Sequence, residues 1–588
     1  MTFDPQSSDR ASATAAKRLG LRRNEEGIPR WFSDGAGRGL GFWQFRRFRY
    51  LIVVGVLVAI AFCSWLLDHQ PIAFSLFGIA ALTGGFRLGT TLLRRVLSPS
   101  RPISAVARTV VEEALSTKLS VFLVVLVLVS LPVFPLLLDP KERLAYRVQF
   151  FLSWSLSSAG VLLSLLSIAI ACRSVSDDIE SNRIHMAFSK PLSRWEYLGG
   201  KWLGISLLNA LLVSLLGITT YAFTIGLASS AATDAQDRLA VDEQVLTARS
   251  VALPRHPRGD DFDRSVEATI EQIRADDPVT FDKDPTGARR RIYSQHIHEW
   301  HTVTPDIVSS FVFDGLDPNS IRAPVVQLRL KPWANNSGIS EAEVRFALWL
   351  NERPFPIRNG RHTPYTVRQG TVQTIDVPTS FIDSDNRLKV TVANENLVMP
   401  GEDFATSISL TPDDGMQVLY RVGGFAMNFC RGLLVLWTRL LMLTAAALAA
   451  ATWLGFPTAF LASLMVYVSA AASGFFADAV DIYTGLDRKT ATLSSMFRLR
   501  FRLLSERVLA FEWWEAMKTV GSYVADAFLS LIPSFANYDS VGELATGRLV
   551  PLMELGSGIL VLALAYPAVL LGLGCVLLNR RDLIRTSS

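Results

Sequence analysis

The chain has 588 residues, 50% hydrophobic and only 19% charged, with a net charge of +5, against about 25% charged residues in an average soluble domain. The apolar residues fall in long blocks, which excludes a single soluble globule and points to a polytopic membrane protein. The basic excess is of the kind that gathers near cytoplasmic helix ends, so it does not argue for nucleic-acid binding.

Residues 1–50 are polar and rich in Ser, Gly and Arg, and read as a disordered cytoplasmic tail. The first apolar run starts too late for a signal peptide. Residues 51–95 read as a membrane hairpin, turning at Asp68-His69-Gln70-Pro71. Its outer ends carry Arg46, Arg47 and Arg49 on one side and Arg94 and Arg95 on the other. The turn has no Lys or Arg, so both ends are expected in the cytoplasm. From 103 to 118, Val106, Val110, Ala114 and Leu115 recur at helical spacing against Arg108, Glu112, Glu113 and Lys118. That pattern predicts an amphipathic helix in the membrane interface. Apolar runs at 119–138, 149–171 and 202–228 then give three spans.

Residues 229–423 are polar and long enough for a domain with its own core. A helix is predicted over 260–276, where Phe262, Val266, Ile270 and Ile273 share a face. After Ser309 the period changes to two. Val326, Leu328 and Leu330 alternate with polar residues, as do Val344, Phe346, Leu348 and Leu350, and Leu388, Val390 and Val392. Turn-rich pieces at 335–338 and 383–386 separate these runs, so an external, β-rich, sandwich-like domain is expected. Three more spans follow within 430–583: 430–453, 457–476 and 550–578. Residues 478–549 lie between the last two spans as an external, Arg-rich, partly amphipathic segment. The count is about eight spans, with both termini cytoplasmic. The four cysteines, Cys63, Cys172, Cys430 and Cys575, lie in or beside apolar runs, so no disulfide framework is expected in the polar domain.

The most informative stretch is the connector from Cys172 to Gly204. It contains Asp178-Ile179-Glu180, then Ser189-Lys190-Pro191-Leu192-Ser193-Arg194, then Gly199-Gly200-Lys201-Trp202-Leu203-Gly204. Read alone, it is a charged cytoplasmic loop that either is simply solvated or offers a docking surface. These motifs resemble the first cytoplasmic loop of bacterial ABC-2 type transporter permeases. The similarity is greatest to the permease branch linked with multicopper-enzyme maturation and gliding motility. The start of the amphipathic helix, "TWLGFPTAF" at 452–460, "LIPSF" at 531–535 and "RRDL" at 580–583 resemble the same family.

The resemblance covers about 103–583 apart from the external domain, and makes the hairpin at 51–95 an addition to a six-helix core. It implies an exporter permease of the bacterial plasma membrane, working by alternating access as one of two permease chains. Asp178, Glu180, Lys190, Pro191, Ser193, Arg194 and Lys201 would then couple to a separate cytoplasmic ATPase. The chain has no Walker A motif, since Gly485-Leu486-Asp487-Arg488-Lys489-Thr490 lacks the second glycine and its strand–loop–helix setting. ATP and Mg²⁺ would therefore be held by the partner subunit, with no cofactor in this chain.

Three other features bear on chemistry. Arg439 and Glu554 fall inside spans, where charge marks a pathway, a partner or a contact with helix or lipid. His296, His298 and His301 carry ligand atoms suited to zinc or copper, but their spacing matches no metal motif, and a polar surface cluster is the alternative. No nucleophile–base set stands out, which makes a membrane-embedded enzyme the weakest reading. The rival to the exporter is a non-transporting anchor that displays the β-rich domain.

Overall fold

A computed structural model describes residues 54–67, 70–97, 101–181, 192–255, 260–276, 285–305, 308–317, 323–334, 343–358, 361–396, 406–410, 415–476 and 533–586, with a few isolated positions between. The proposed tail at 1–50, Lys190, Pro191, the turn at 335–338 and most of 478–532 lie outside the described residues. By compactness the chain forms two units, Met1–Thr91 with Leu128–Leu137, and Leu92–Val127 with Leu138–Ser588.

The first unit contains α1 (Val54–Leu66) and most of α2 (Gln70–Val96). Phe62 and Trp65 stack along α1 at 6.0 Å between ring centroids. Their large apolar side chains are exposed, as are Leu66, Phe74 and Phe77, which is what a helix facing hydrocarbon requires.

In the second unit α3 (Pro102–Ser116) starts at a proline and ends at Thr117, whose extended backbone separates it from α4 (Lys118–Val133), a helix whose residues from Leu128 onward belong to the first unit. Two long helices follow, α5 (Leu144–Glu180) and α6 (Arg194–Ala228). After the β-rich region come α10 (Phe425–Trp453), α11 (Phe456–Ala471), the short α12 (Ser540–Ala545), and a final helix built from α13 (Leu552–Gly558), a π-helical stretch and α14 (Tyr566–Thr586). Among the described residues six helices are long and apolar enough to cross a membrane: Ile72–Val96, Ser120–Leu137, Leu144–Glu180, Arg194–Ala228, Phe425–Trp453 and Leu552–Arg580. The other two expected spans coincide with shorter apolar helices, α1 and α11, so the described residues show six of the expected eight at spanning length.

Small residues let these helices approach. Ala445, Ala447 and Ala451 of α10 are fully buried, the pattern expected where packing rather than water exclusion holds helices together. Two indoles lock α6 to α10 reciprocally. Trp202 Nε1 donates to the Leu441 carbonyl and Trp437 Nε1 to the Ser206 carbonyl, both at 3.0 Å.

The β-rich region opens with β1 (Thr247–Ala252), followed by α8 (Asp260–Asp276) and α9 (Pro285–Trp300). α8 has the predicted bounds, and its Val266 and Ile270 pack on Ala288 and Ile292 of α9. The alternating runs are strands β4 (Val325–Leu330), β6 (Glu343–Leu350) and β12 (Leu388–Asn394). One antiparallel sheet joins β1, β14 (Met416–Gly424), β4 and β11 (Gln373–Pro378). A second joins β10 (Tyr365–Arg368), β6, β12 and β3 (Ser309–Phe313), with β7 (Arg353–Phe355) beside β6; β2 (Thr302–Val303), β13 (Ile408–Leu410) and β5 (Pro332–Ala334) form a third, and β8 (Ile357–Arg358) pairs with β9 (Arg361–His362). Val326, Leu328 and Val418 of the first sheet share one buried cluster with Phe311, Phe346 and Val390 of the second. The turn after β6 places Asn351 and Glu352 at φ of 46° and 67°, the left-handed pair a two-residue hairpin needs.

β14 continues into α10 without a linker, Gly424 being the N-cap of the helix. Arg249 of β1 is the hub of this junction. Its Nη2 donates to the carbonyls of Gln244 at 2.9 Å and Thr546 at 2.8 Å, and its Nη1 donates to Gln327 Oε1. Burial, reinforced by Arg329 and Arg548, brings its pKa down to about 10. Asn428 of α10 closes the joint, donating to the Arg548 carbonyl at 2.7 Å and accepting from Val550 N at 2.8 Å. Beside it, the Asp237 carboxylate, on the short α7 (Ala235–Ala240), accepts from the amides of Leu144 and Ala145 at 2.8 and 3.0 Å, capping α5 from a distant segment. Burial opposes its ionisation, yet these amides and that of Thr233 hold its carboxyl below the usual range.

Candidate functional site

The opposite end of α5 and α6 carries the charged connector. α5 delivers Arg173, Asp177, Asp178 and Glu180 at its C-terminus. α6 begins at a capping box: Ser193 Oγ accepts from Glu196 N at 3.2 Å, and Glu196 Oε2 accepts from Ser193 N at 2.8 Å. These reciprocal bonds satisfy two helix-terminal donors and set where the chain turns. One turn further, Tyr197, Lys201 and Gly204 share a face by their spacing of four and three.

That face is turned inward. Lys201 is 3% exposed, with Nζ 2.6 Å from Asp178 Oδ2, and it also donates to the Ser174 carbonyl. Tyr197 OH donates to the same Asp178 oxygen at 2.8 Å, and its ring lies 5.0 Å from Lys201 Nζ. The pair therefore has the additional hydrogen bonds that a buried ion pair needs to offset its desolvation. Glu113 of α3 borders the cluster. Burial pushes its carboxyl up, Lys201 pulls against that, and Asp178 and Asp177 add to the rise.

The glycines of the connector's second half allow this approach. A Cβ on Gly200 would lie 2.7 Å from Val106 Cβ, and one on Gly204 would lie 2.6 Å from the Ala107 carbonyl oxygen. α3 thus lays its buried face, Ala107, Val110, Val111 and Ala114, on α6. The amphipathic pattern is spent on a helix neighbour, with Arg108 and Glu112 paired at 3.1 Å on the outer face.

The expected coupling residues accordingly divide. Asp178 and Lys201 are joined to one another, inside. Glu180 and Ser193 are exposed, and Arg194 is half-buried. Lys190 and Pro191 lie outside the described residues. The sequence reading missed Tyr197 and Glu113. Tyr197 was legible from its four-residue spacing to Lys201, whereas Glu113 depends on the packing of α3.

Arg439 lines a cavity of about 400 Å³ with Ser157, Ser164, Tyr467, Phe535 and Asp539. Its Nη2 donates to the Phe535 carbonyl at 3.0 Å, and its guanidinium lies 5.4 Å from the centre of the Phe535 ring. Asp539 and Glu554 are acids within electrostatic reach of it. The two intramembrane charges of the sequence reading thus act on one another.

The three histidines are not brought together. His296 and His298 lie on α9, a helix rather than the strand in which they would share a face. His296 Nε2 is 3.1 Å from Thr269 Oγ1 and His298 is exposed. His301 is 3% exposed, its Nδ1 bonded to the Ile297 carbonyl at 2.8 Å and its ring 4.2 Å from Trp300. Among the described residues no group of three His, Cys, Asp or Glu side chains could hold a metal ion.

No family model, curated protein or solved structure matches the chain.

Proposed function

We propose that this chain is the membrane-spanning permease subunit of an ABC-2 type exporter, paired with a second permease chain and driven by a separate cytoplasmic ATPase. The observation that carries this reading is the braced connector between α5 and α6. Its inner charges, Asp178 and Lys201, hold the two helix ends together, while Glu180 and Ser193 face outward at the same end. A rigid charged end on two long apolar helices is what a partner must push on if it is to move them. The motifs at 178–204, 452–460, 531–535 and 580–583 support the family reading, and the cavity at Arg439 offers space for cargo between helices.

In this reading the connector and both termini are cytoplasmic and the β-rich domain is external, in a bacterial plasma membrane. Nucleotide and Mg²⁺ belong to the partner, and this chain hydrolyses nothing. The test is capture of an ATPase by the full-length chain purified in mild detergent from its native membrane, in wild type and in Glu180→Lys. Wild type should retain an ATP-binding subunit. The variant should lose most of it, because like charges set against each other across an interface cost roughly several kcal/mol. Equal capture by both would remove the connector from the interface. Capture by neither would favour an anchor displaying the β-rich domain.

A further inference from the structure

A groove of about 690 Å³ runs between the start of α6 and the last helix. One wall is Leu192, Ser193, Arg194 and Trp195. The other is Gly572, Cys575, Val576 and Asn579, positions spaced three, one and three apart and therefore on a single helix face. The volume is in the range of small-molecule sites, about 300–1,000 Å³.

The groove has two chemical ends. Gly572, Cys575 and Val576 are apolar, and Gly572 leaves room for the Trp195 indole, whose Cη2 would lie 3.5 Å from a Cβ there. This wall is continuous with a helix surface made for hydrocarbon, since Val569, Leu573 and Val576 are 70%, 51% and 51% exposed. The other end holds the Arg194 guanidinium and the Asn579 amide, with exposed Arg580 adjoining Asn579. Basic and donor groups at the end of a span, above an apolar slot, match an anionic headgroup with its acyl chain.

We propose that this groove binds one anionic phospholipid of the surrounding membrane, its phosphate on Arg194 and Asn579 and a chain against Gly572, Cys575 and Val576. The lipid then ties the outgoing arm of the connector to the last helix. This goes beyond the exporter reading and does not depend on it, because the groove needs neither an ATPase nor a cargo.

The test reads lipid on the purified full-length chain by native mass spectrometry. Phosphatidylglycerol and phosphatidylcholine of identical chains are added to wild type, Arg194→Gln, Gly572→Trp and the distant control Arg87→Gln. Wild type and Arg87→Gln should retain phosphatidylglycerol several-fold over phosphatidylcholine. Arg194→Gln should lose that preference, and Gly572→Trp should lose the bound lipid.

A second readout needs no groove variant. With Cys63, Cys172 and Cys430 replaced by Ser, phosphatidylglycerol should slow maleimide alkylation of Cys575, and glycerol phosphate without chains should not. Equal retention of the two lipids by wild type, a preference unchanged in Arg194→Gln, or unslowed alkylation would overturn the proposal. Protection by glycerol phosphate alone would also overturn it, showing a free-anion site instead.

Discussion

At the connector end of the bundle, buried Lys201 meets a carboxylate. At the β-domain end, buried Arg249 meets two carbonyls and an amide oxygen, with Arg329 and Arg548 nearby. Both cations hold separate elements together, yet they differ in what removal leaves behind. Loss of Lys201 strands a charge on Asp178. Loss of Arg249 strands only dipoles and relieves repulsion from its neighbours. Buried charge pairs and buried charge–dipole joints therefore fail by different amounts, and the contrast can be measured.

The largest effect is expected from Lys201→Met. Breaking a buried pair from one side costs about 3–5 kcal/mol, and Asp178, with a side chain 18% exposed, should place the loss near the lower figure. Lys201→Met combined with Asp178→Leu should recover much of it. Thermal unfolding of the two single variants and the double variant in one detergent measures the coupling directly, and simple additivity would contradict the pairing.

Gly204→Ala comes next. The new methyl would sit 2.6 Å from the Ala107 carbonyl oxygen and 3.0 Å from its Cα. Backbone on both helices must shift, at about 1–3 kcal/mol. Gly199→Ala, where a Cβ meets nothing within 4 Å, is the control and should leave the unfolding midpoint nearly unchanged.

Arg249→Met should cost about 1–3 kcal/mol through its unsatisfied acceptors. Its signature is local: faster amide exchange in β1 and around residues 546–549, with α5 and α6 unaffected. Global loosening of the bundle would contradict the local joint.

A pH series sharpens the same end of the molecule. Glu543 has its pKa raised to about 8, first by burial and then by Glu554 and Asp539, against the pull of Arg548. An acid raised in the folded state binds more protons folded than unfolded between about pH 4.5 and 8, so its contribution falls as pH rises through that window. Glu543→Gln should flatten that slope. Asp237 works in the opposite sense: its lowered pKa contributes above the ordinary carboxylate value and is lost as pH falls toward strong acid.

The smallest effect belongs to Asp177→Asn. Its pair with Arg173 at 3.1 Å is an exposed i,i+4 contact, expected to change stability by no more than about 0.5 kcal/mol.

Much of the fold was legible because period and burial coincide. Val326, Leu328 and Leu330 alternate because one face of β4 meets the core, and Phe262, Val266 and Ile270 repeat because one face of α8 meets α9. Gln327 and Arg249 break the pattern by being buried and polar, since their partners come from residues far along the chain. The connector was legible as a charged segment, and the direction of each charge was not. Lys201 reads like any loop lysine until Gly200 and Gly204 bring α3 against α6 and Tyr197 closes over it. The histidines show the converse. They look like a cluster in sequence, and the structure gives each its own surroundings: His296 beside Thr269, His298 exposed, and His301 buried against Trp300.

The most direct test of the exporter account is the intact mass of the assembly released from native membrane. The account predicts a particle with two 64.8 kDa chains and two copies of a nucleotide-binding subunit. A chain found alone, or only with itself, while other complexes in the same detergent stay intact would contradict it.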